Sequence, residues 1–421
     1  MKIAYILADP GIGLFGSKGA SVHAQEMIRA FRQLGHDVTV YCTKRGSTAG
    51  DPSTESVPQD LRDLPVFVVP VAAGKGSPAR EQAVARTAAR MAALAREEPY
   101  DLIYERYSLF SDAGAVLARA ASTPLVLEVN APLLSEQAAH RTLHDAEGAR
   151  EATLRSIAAA DVVSCVTQPV AEWVHQLIDP QGPAAAPKVI VSPNGVNTER
   201  FTPHPPGTAG AQDSDAAGRA PGCDAAFTVG FLGTLKPWHG TDLLLKALAA
   251  VPPAKRRDWR CEILGDGPQL QPLKELTAAL GLDDQVSFRG PLAPDQVPEA
   301  LARWDAAVAP YPEPGPDQSH YFSPMKVYEY LAAGLPTVAS AVGELPQLIT
   351  DGVTGVLVPG SDVEALASAL TRLAGDPDHR RQLGAAARAE AVARHSWRSR
   401  ASAVVEAVRL PQPIPAREVL A

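Results

Sequence analysis

The stretch that decides the fold is Tyr321-Phe322-Ser323-Pro324-Met325-Lys326-Val327-Tyr328-Glu329-Tyr330-Leu331-Ala332-Ala333-Gly334-Leu335-Pro336, which is followed at once by the apolar run 337–339. Ser323 is a favourable N-cap residue and Pro324 suits the first helical position, so a helix is predicted to begin there. Gly334 is a typical residue just past a helix end. A short helix leading into a short apolar strand is the unit from which covered parallel sheets are built.

The same unit recurs along the whole chain. In the first half, strands are predicted at residues 2–8, 38–41, 66–69, 101–104, 125–129, 162–166 and 189–191. In the second half, they are predicted at residues 227–235, 260–264, 286–288, 306–309 and 337–339, and a long helical stretch, 362–405, closes the fold. We therefore predict an α/β protein with two Rossmann-like, doubly wound parallel-sheet domains that face each other across a cleft.

The domain boundaries follow from one break in this pattern. Residues 202–226 are rich in Pro, Gly, Ala, Ser and Asp, which is typical of a linker about which the domains close. We expect a first domain at 1–201, the linker at 202–226 and a second domain at 227–395. The C-terminal helix and tail, 396–421, are expected to pack back on the first domain. A chain of 421 residues is long enough for two such cores.

Composition and charge exclude several classes of function. The chain is 46% hydrophobic and 20% charged, which is ordinary for a soluble globular protein. Its formal net charge of −8 argues against nucleic acid as a partner. Arginines along residues 78–98 are interrupted by glutamates, and no Trp or Phe accompanies them, so membrane contact is not expected. The partners are expected to be a small donor and a small acceptor.

The four cysteines, at positions 42, 165, 223 and 261, lie far apart and form no CxxC pair. This spacing predicts neither a disulfide framework nor a zinc site, and it favours a reducing cytoplasm. The N-terminal apolar run is too short for a signal peptide and is predicted to be a buried first strand. We expect no metal ion and no cofactor.

The start of the helix at Ser323 and Pro324 is the first candidate site. The free N–H groups of Met325 and Lys326, together with the helix dipole and the Lys326 charge, favour an anion such as phosphate. Glu329 lies one turn further along the same face, where its carboxylate can accept hydrogen bonds from a ribose diol. The simpler alternative is a Lys326–Glu329 pair on a helix surface.

The second candidate site is the loop 233–240, which begins Gly233-Thr234-Leu235-Lys236 and contains His239. It follows a predicted strand, at the edge of the sheet where such folds bind ligands. Lys236 is expected to meet the charge that develops on a leaving phosphate, and His239 to assist or orient it. Gly265 and Arg289 follow the next two strands, where Arg289 is expected to border a base.

Residues 11–16 match the GxGxxG pattern of dinucleotide-binding domains. The helix is predicted to begin later, near Ser21, and the second strand ends without the acidic residue that would hold a ribose. We therefore predict that the loop is not an NAD or FAD site. Gly16 and Gly19 are expected to belong to a flexible lid on the phosphate side, with an ordinary surface loop as the alternative.

With these motifs in view, the chain resembles the retaining glycosyltransferases of family 4, or group 1, which have the GT-B fold. The matching segments are 192–197, 233–240, 264–268, 286–290, 323–336 and 341–357. The resemblance implies a nucleoside diphosphate sugar as donor, with UDP or GDP expected. It also implies transfer with retention at the anomeric carbon and no required metal.

The sequence departs from the family pattern at three places. The first glutamate of the family's spaced pair is Tyr321 here, while Glu329 is the second. The usual arginine and lysine of the phosphate loop fall on Thr234 and His239. A histidine that is common in the family at the end of a strand falls on Asn130, after the predicted strand 125–129. Asn130 can donate to a sugar hydroxyl but cannot carry a proton.

From these residues we expect a retaining, metal-independent, cytoplasmic glycosyltransferase. Lys236, Glu329 and Asn130 are the expected catalytic residues, and Glu105 and Arg106 are further acceptor-side candidates. No carboxylate is placed as a nucleophile, which favours same-face displacement over a double displacement. The alternatives are a nucleotide-sugar epimerase or phosphorylase on the same fold, and a non-catalytic nucleotide-sugar binder.

Overall fold

The computed structural model describes residues 1–46, 57–74, 76–140, 142–178, 187–203, 226–315 and 320–409. Most of the predicted linker, Cys223 and the tail after residue 409 lie outside these ranges. The chain divides into two compact units. The first comprises Met1–Pro193 and the residues from Trp397 onward, and the second comprises Asn194–Ser396.

The first unit contains one all-parallel sheet of seven strands, in the order β3-β2-β1-β4-β5-β6-β7. The strands are β1 (Lys2–Leu7), β2 (Asp37–Cys42), β3 (Val66–Val68), β4 (Leu102–Arg106), β5 (Leu125–Val129), β6 (Val162–Cys165) and β7 (Lys188–Val191). The helices are α1 (Gly19–Gln33), α2 (Pro78–Ala95), α3 (Ala113–Ala121), α4 (Leu133–His140), α5 (Ala146–Ala159), α6 (Gln168–Ile178) and, from the chain's end, α14 (Trp397–Arg409).

The second unit contains one all-parallel sheet of six strands, in the order β10-β9-β8-β11-β12-β13. The strands are β8 (Phe227–Leu232), β9 (Trp259–Leu264), β10 (Val286–Gly290), β11 (Ala306–Ala309), β12 (Thr337–Ser340) and β13 (Val356–Val358). The helices are α7 (Thr241–Ala250), α8 (Leu270–Ala279), α9 (Val297–Leu301), α10 (Met325–Ala332), α11 (Leu345–Leu348), α12 (Val363–Gly375) and α13 (Pro377–Arg394).

The second sheet is covered on both faces, which explains why its strands are apolar throughout. Ala306 and Val308 of β11 pack into the core on the face covered by α7 and α12. Ala307 and Ala309 pack into the core on the opposite face, with α10 and α13. Side chains alternate between the two faces of a strand, so a continuous apolar run is what a doubly covered strand requires.

The strand order places a switch point in each sheet. The chain winds outward from β1 in one direction and from β4 in the other, and it does the same from β8 and β11. Ligands of open α/β sheets bind outside the carboxyl ends of the strands at such points. In the second unit this is where the 233–240 loop, the loop after β11 and the start of α10 come together.

Three features differ from the sequence-based expectation. Residues 194–201, which were placed with the first domain, pack in the second unit, because Val196 and Phe201 are buried in its core. The long helical stretch is three helices, because Asp376 caps a new helix at Pro377 and the chain returns to the first unit at Trp397. The short strand β13 was not predicted.

The C-terminal helix α14 packs against α1 in the first unit. In the described part of the chain, no helix combines the length and the apolar content needed to cross a bilayer.

Candidate functional site

The carboxyl ends of β8 and β9 approach each other closely. Gly233 and Gly265 follow the two strands, with φ angles of +146° and +137° that other residues rarely adopt. A Cβ on Gly265 would overlap the carbonyl oxygen of Gly233. Both glycines are therefore required by the backbone, and neither places a side chain of its own at the switch point of the sheet.

The side chain of Lys326, in the first turn of α10, points to the same place. It exposes only 8% of its surface, and its Nζ lies 4.1 Å from the centroid of the Phe231 ring and 5.4 Å from that of Tyr311. Among the residues that the structure describes, this Nζ has no hydrogen-bond partner. A Cβ added to Gly233 would lie 2.7 Å from it, so the ammonium group sits directly beside the end of β8.

The position of Lys326 perturbs its titration. Burial lowers the pKa of Lys326 to about 7, and the nearby Glu329 carboxylate acts in the opposite sense. Glu329 itself is half-buried, one turn further along α10. A buried amine without a partner is costly, and such groups concentrate at sites that bind an opposite charge.

The start of α10 differs from its predicted geometry by one residue. The helix begins at Met325, and Pro324 occupies the N-cap position, with no side-chain cap. Ser323 does not cap the helix because its Oγ accepts the Asn194 N–H at 3.1 Å and donates to the Tyr328 hydroxyl at 3.3 Å. The N–H groups at the start of a helix have no partner within it, so those of Met325 and Lys326 remain suited to an anion.

Two further contacts hold this helix start. The Asn194 side-chain amide donates to the Ser323 carbonyl at 2.6 Å, and the Leu232 N–H donates to the Tyr330 hydroxyl at 2.8 Å. From the sequence alone, Asn194 belongs only to a segment that resembles the family, and the role of this residue in holding Ser323 is not predicted. The available signal was an asparagine between a proline and a glycine. It lies in a turn where no helix N-terminus needs a cap.

In the 233–240 loop, the His239 ring is neutral, and its Nε2 is a hydrogen-bond acceptor. Its Nδ1 bonds to the Thr234 carbonyl, which requires the hydrogen on Nδ1 and leaves Nε2 with a lone pair. Burial, followed by the charges of Lys326 and Lys236, lowers the pKa of His239 to about 3. A lone pair complements a hydroxyl and repels a phosphate oxygen, which changes the role expected for this residue.

Lys236 lies in the same loop and is half-buried. Its Nζ is 5.4 Å from the centroid of the Trp238 ring, and Trp238 is itself 52% exposed. Lys236 and Lys326 therefore flank the end of β8 from two different elements. Arg289, at the end of β10, pairs with Glu262 at 3.1 Å and remains more than half exposed.

In the first unit, the glycine-rich loop is anchored. The N–H groups of Leu14 and Phe15 donate to the carbonyls of Lys44 and Arg45 at 3.2 and 2.7 Å. The Gln25 side-chain amide donates to the Leu14 carbonyl at 2.9 Å. The side chains of Leu14 and Phe15 are buried. The expectation of a flexible lid is therefore corrected: the centre of this loop is pinned to the edge of the sheet.

The two glycines selected in this loop lie in different surroundings. A Cβ on Gly16 would lie 2.8 Å from the Ser21 Oγ, whereas a Cβ on Gly19 would meet nothing within 4 Å. Helix α1 begins at Gly19, earlier than the predicted start near Ser21, because Ser21 and Val22 already bond back to the Lys18 carbonyl.

A buried polar group, which we call the Glu128 cluster, was missed by sequence reasoning. Glu128 on β5 accepts hydrogen bonds from His23 at 2.7 Å, from Arg106 at 3.1 Å and from the Tyr104 hydroxyl. The His23 ring makes an edge contact with Trp397 at 4.8 Å, which connects the cluster to the start of α14. Burial opposes ionisation of Glu128, but His23 and Arg106 outweigh it and hold the pKa of Glu128 to about 2.

The other acceptor-side candidates lie at the ends of β4 and β5. Asn130 is half-buried, and its Nδ2 is enclosed without a hydrogen-bond partner. Glu105 does not pair with Arg106. It accepts the Ser111 hydroxyl at 2.7 Å and the Gly114 N–H at 2.9 Å, and burial raises its pKa to about 7.

Comparison with known proteins gives two family matches. Residues 224–390 match the family described as "Glycosyl transferases group 1", and residues 17–200 match "Glycosyltransferase Family 4".

Among curated proteins, the chain is 31% identical over 401 residues to a D-inositol 3-phosphate glycosyltransferase of Kribbella flavida, covering 90% of this chain and 88% of that one. It is 32% identical over 227 residues to a GDP-mannose-dependent alpha-(1-6)-phosphatidylinositol monomannoside mannosyltransferase of Mycolicibacterium smegmatis, covering 53% and 56% of the two chains.

Among solved structures, HepE of Anabaena in complex with UDP matches with a TM-score of 0.69 at 21% identity, covering 97% of this chain and 100% of that one. Sucrose-phosphate synthase from Thermosynechococcus elongatus matches with a TM-score of 0.67 at 21% identity, covering 97% and 98%. These likenesses confirm the predicted two-Rossmann-like GT-B fold.

Proposed function

Because the chain belongs to the group 1, or family 4, glycosyltransferases and is therefore a sugar-transferring enzyme, we propose that it moves a sugar from a nucleoside diphosphate sugar to a small hydroxyl acceptor with retention of the anomeric configuration. The observation that carries this proposal is the pair of lysines around Gly233. Lys326 is buried beside it without a partner, and Lys236 lies in the loop that follows.

The donor pose follows from these groups. The diphosphate lies against the N–H groups of Met325 and Lys326 and beside Gly233 and Gly265, within reach of the Lys326 Nζ. Glu329 accepts the ribose hydroxyls. Arg289 borders the base from the end of β10, since its guanidinium remains exposed while it pairs with Glu262.

The contacts are assigned to the two units separately: His239 of the second unit contacts the donor sugar, and Asn130 of the first unit contacts the acceptor. The His239 Nε2 accepts a donor-sugar hydroxyl, because its lone pair is the only hydrogen-bonding capacity left on that ring. The buried Asn130 Nδ2 has an unused donor and gives it to a sugar or acceptor hydroxyl. Neither group is a carboxylate nucleophile, which favours same-face displacement over a covalent glycosyl-enzyme.

Positive charge for the departing diphosphate comes from the protein. Lys236, Lys326 and the helix-start amides are preorganised around the place where negative charge grows. We therefore propose that the reaction needs no metal ion, and that chelation with EDTA leaves the rate unchanged.

For the acceptor, the relatives suggest a first candidate. Their names describe transfer to D-inositol 3-phosphate, and we propose a small soluble polyol of this class as acceptor. Mixing the enzyme with UDP-glucose, UDP-N-acetylglucosamine or GDP-mannose and inositol 3-phosphate, then identifying the product by mass and anomeric NMR signal, tests this directly. Conversion of the donor without acceptor would instead indicate an epimerase, and binding without any product would indicate a non-catalytic binder.

Replacing Glu329 by glutamine is expected to weaken donor binding while the fold stays intact. The change removes a charge-assisted hydrogen bond to ribose that contributes on the order of 1–3 kcal/mol. Calorimetric titration of the donor measures the loss, and the matched control is Glu364→Gln, an exposed first-turn glutamate on α12. Unchanged affinity and turnover in Glu329→Gln remove this residue from the site.

Little enzyme is expected to sediment with vesicles containing anionic lipid at physiological salt. On the outer face of α2, Arg86 and Arg90 are exposed, but the apolar residues beside them are mainly alanine, which bury little area. Strong sedimentation that is lost in the triple change of Arg86, Arg90 and Arg96 to Glu would contradict a soluble acceptor and point to a lipid-linked one.

A further inference from the structure

The Lys326 ammonium group occupies an unusual environment for a charge. Its side chain is more than nine-tenths buried, and its Nζ faces the rings of Phe231 and Tyr311. Within the described part of the chain, no hydrogen-bond partner reaches it. An aromatic face attracts a cation only weakly compared with the hydration that burial removes. In the absence of an anion, the charged form of this amine is therefore poorly stabilised.

The groups around Lys326 supply almost no compensating negative charge. From α10 itself, Glu329 attracts the ammonium, while Tyr330 is buried and its pKa is raised well above its ordinary value. From the loop after β8, Lys236 is a second cation and His239 is neutral. Glu329 is thus the carboxylate that stabilises the charged form.

Neither Tyr311, in the loop after β11, nor His320, before α10, adds a negative charge beside Lys326. Burial raises the pKa of Tyr311, so its hydroxyl stays protonated. The His320 Nε2 bonds to the Pro312 carbonyl at 2.9 Å, and its ring lies 6.3 Å from that of Tyr311. Both groups leave the Lys326 amine in an environment that disfavours a charge.

We propose that binding of the donor diphosphate is coupled to the uptake of one proton by Lys326 Nζ, so that the donor itself creates the charge that holds it. This inference rests on the proposed function, because it takes the diphosphate to lie beside Gly233. The proton comes from solvent, and the neutral amine becomes an ammonium that donates to the phosphate oxygens. Two observations support an anion here independently: the start of α10 and the unpartnered buried amine aimed at it.

The direction of the pH dependence follows. With its pKa lowered to about 7, the amine of the free enzyme is largely neutral at pH 8. Two negative phosphates raise this pKa in the complex, so the bound state holds more protons than the free state. Donor affinity is therefore expected to fall as pH rises above about 7, by up to tenfold per pH unit.

Calorimetry with a sugar nucleotide counts the protons. UDP-glucose, or GDP-mannose if that is the donor bound, is titrated at about pH 8 in buffers of different ionisation enthalpy. Each phosphate of a sugar nucleotide keeps one charge between roughly pH 6 and 8.5, so the ligand contributes no protons. The wild type is expected to take up close to one proton, and so is Lys246→Met, whose lysine is exposed and paired with Asp242.

Lys326→Met is expected to bind the sugar nucleotide at least tenfold more weakly at about pH 6.5 and to take up no proton. The methionine thioether fits between the rings of Phe231 and Tyr311, so the fold is expected to be kept. Lys326→Arg, which stays protonated throughout, is expected to bind with an affinity independent of pH. Donor binding by the wild type without proton uptake, or uptake retained in Lys326→Met, overturns this inference alone. A wild type that binds no sugar nucleotide overturns the proposed function as well.

Discussion

Replacing Glu128 by glutamine is expected to lower the free energy of unfolding of the first unit by about 3–5 kcal/mol. The carboxylate is 5% exposed and accepts hydrogen bonds from His23, Arg106 and Tyr104. Glutamine keeps the size of the side chain but presents a neutral amide to a buried guanidinium. The cost is that of breaking a buried ion pair by removing one partner, which leaves the other charge uncompensated.

The effect has a predictable pH dependence. The pKa of Glu128 is held to about 2, below its ordinary value of 4.5, so the fold favours the ionised form. Its contribution to stability is therefore fully present above about pH 4.5 and is lost as the pH falls toward 2. The difference between wild type and variant is expected to shrink as the pH falls below about 4.5.

Glu105 provides the matched control, since it is a buried glutamate on the neighbouring strand. Burial raises its pKa to about 7, so the fold favours the protonated form, and its contribution is lost as pH rises from 4.5 through 7. At pH 7 Glu105→Gln replaces a carboxyl group that is already about half protonated, and the amide can still accept the Gly114 N–H and donate to Ser111. In urea unfolding at pH 7, the free energy of unfolding is expected to fall strongly for Glu128→Gln and by less than about 1 kcal/mol for Glu105→Gln. Equal midpoints for the two variants would contradict the account of the Glu128 cluster.

The sheets of this protein were predictable because the evidence for a parallel strand is local. Strands β5 and β11 have the predicted bounds, since each is a short apolar run between turn residues. The helical stretch at the end was not divided correctly, because all three helices share the same period. What separates them is the cap at Asp376 and the return of the chain to the first unit, and only the cap is visible in the sequence.

Site residues were harder to predict, because their roles depend on contacts between distant segments. Ser323 has the sequence context of an N-cap residue. Its Oγ instead accepts a hydrogen bond from the N–H of Asn194, which lies far earlier in the chain. Lys326 was expected at a helix start, but its approach to Gly233 depends on how α10 packs beneath β8. Glu128 stood in an apolar strand, which was itself a signal, since a buried carboxylate requires donors around it.

Lys236→Ala is expected to lower turnover by about 100-fold to 1,000-fold while changing the Michaelis constant for the donor only a few-fold. Lys236 is the only lysine or arginine in the 233–240 loop. At the two positions where the family has an arginine and a lysine, this loop has Thr234 and His239. Lys236 is half-buried beside the exposed Trp238, whereas Lys326 is enclosed. We therefore propose different tasks for the two lysines: Lys326 holds the diphosphate of the bound donor, and Lys236 meets the charge that appears when the glycosidic bond breaks.

This division of tasks determines which rate constant should change. The intact donor carries one negative charge on each phosphate, and cleavage adds negative charge to the phosphate that leaves. An adjacent ammonium group therefore interacts more strongly with the transition state than with the ground state. Removing such an interaction lowers kcat and kcat/KM together, whereas removing uniform binding raises KM alone. Steady-state kinetics of Lys236→Ala, with Lys236→Arg as a charge-retaining variant and Lys246→Ala as a remote control, separates the two cases. A higher Michaelis constant with unchanged turnover would show that Lys236 only binds the donor, and the stabilisation of the leaving group would then rest on Lys326 and the start of α10.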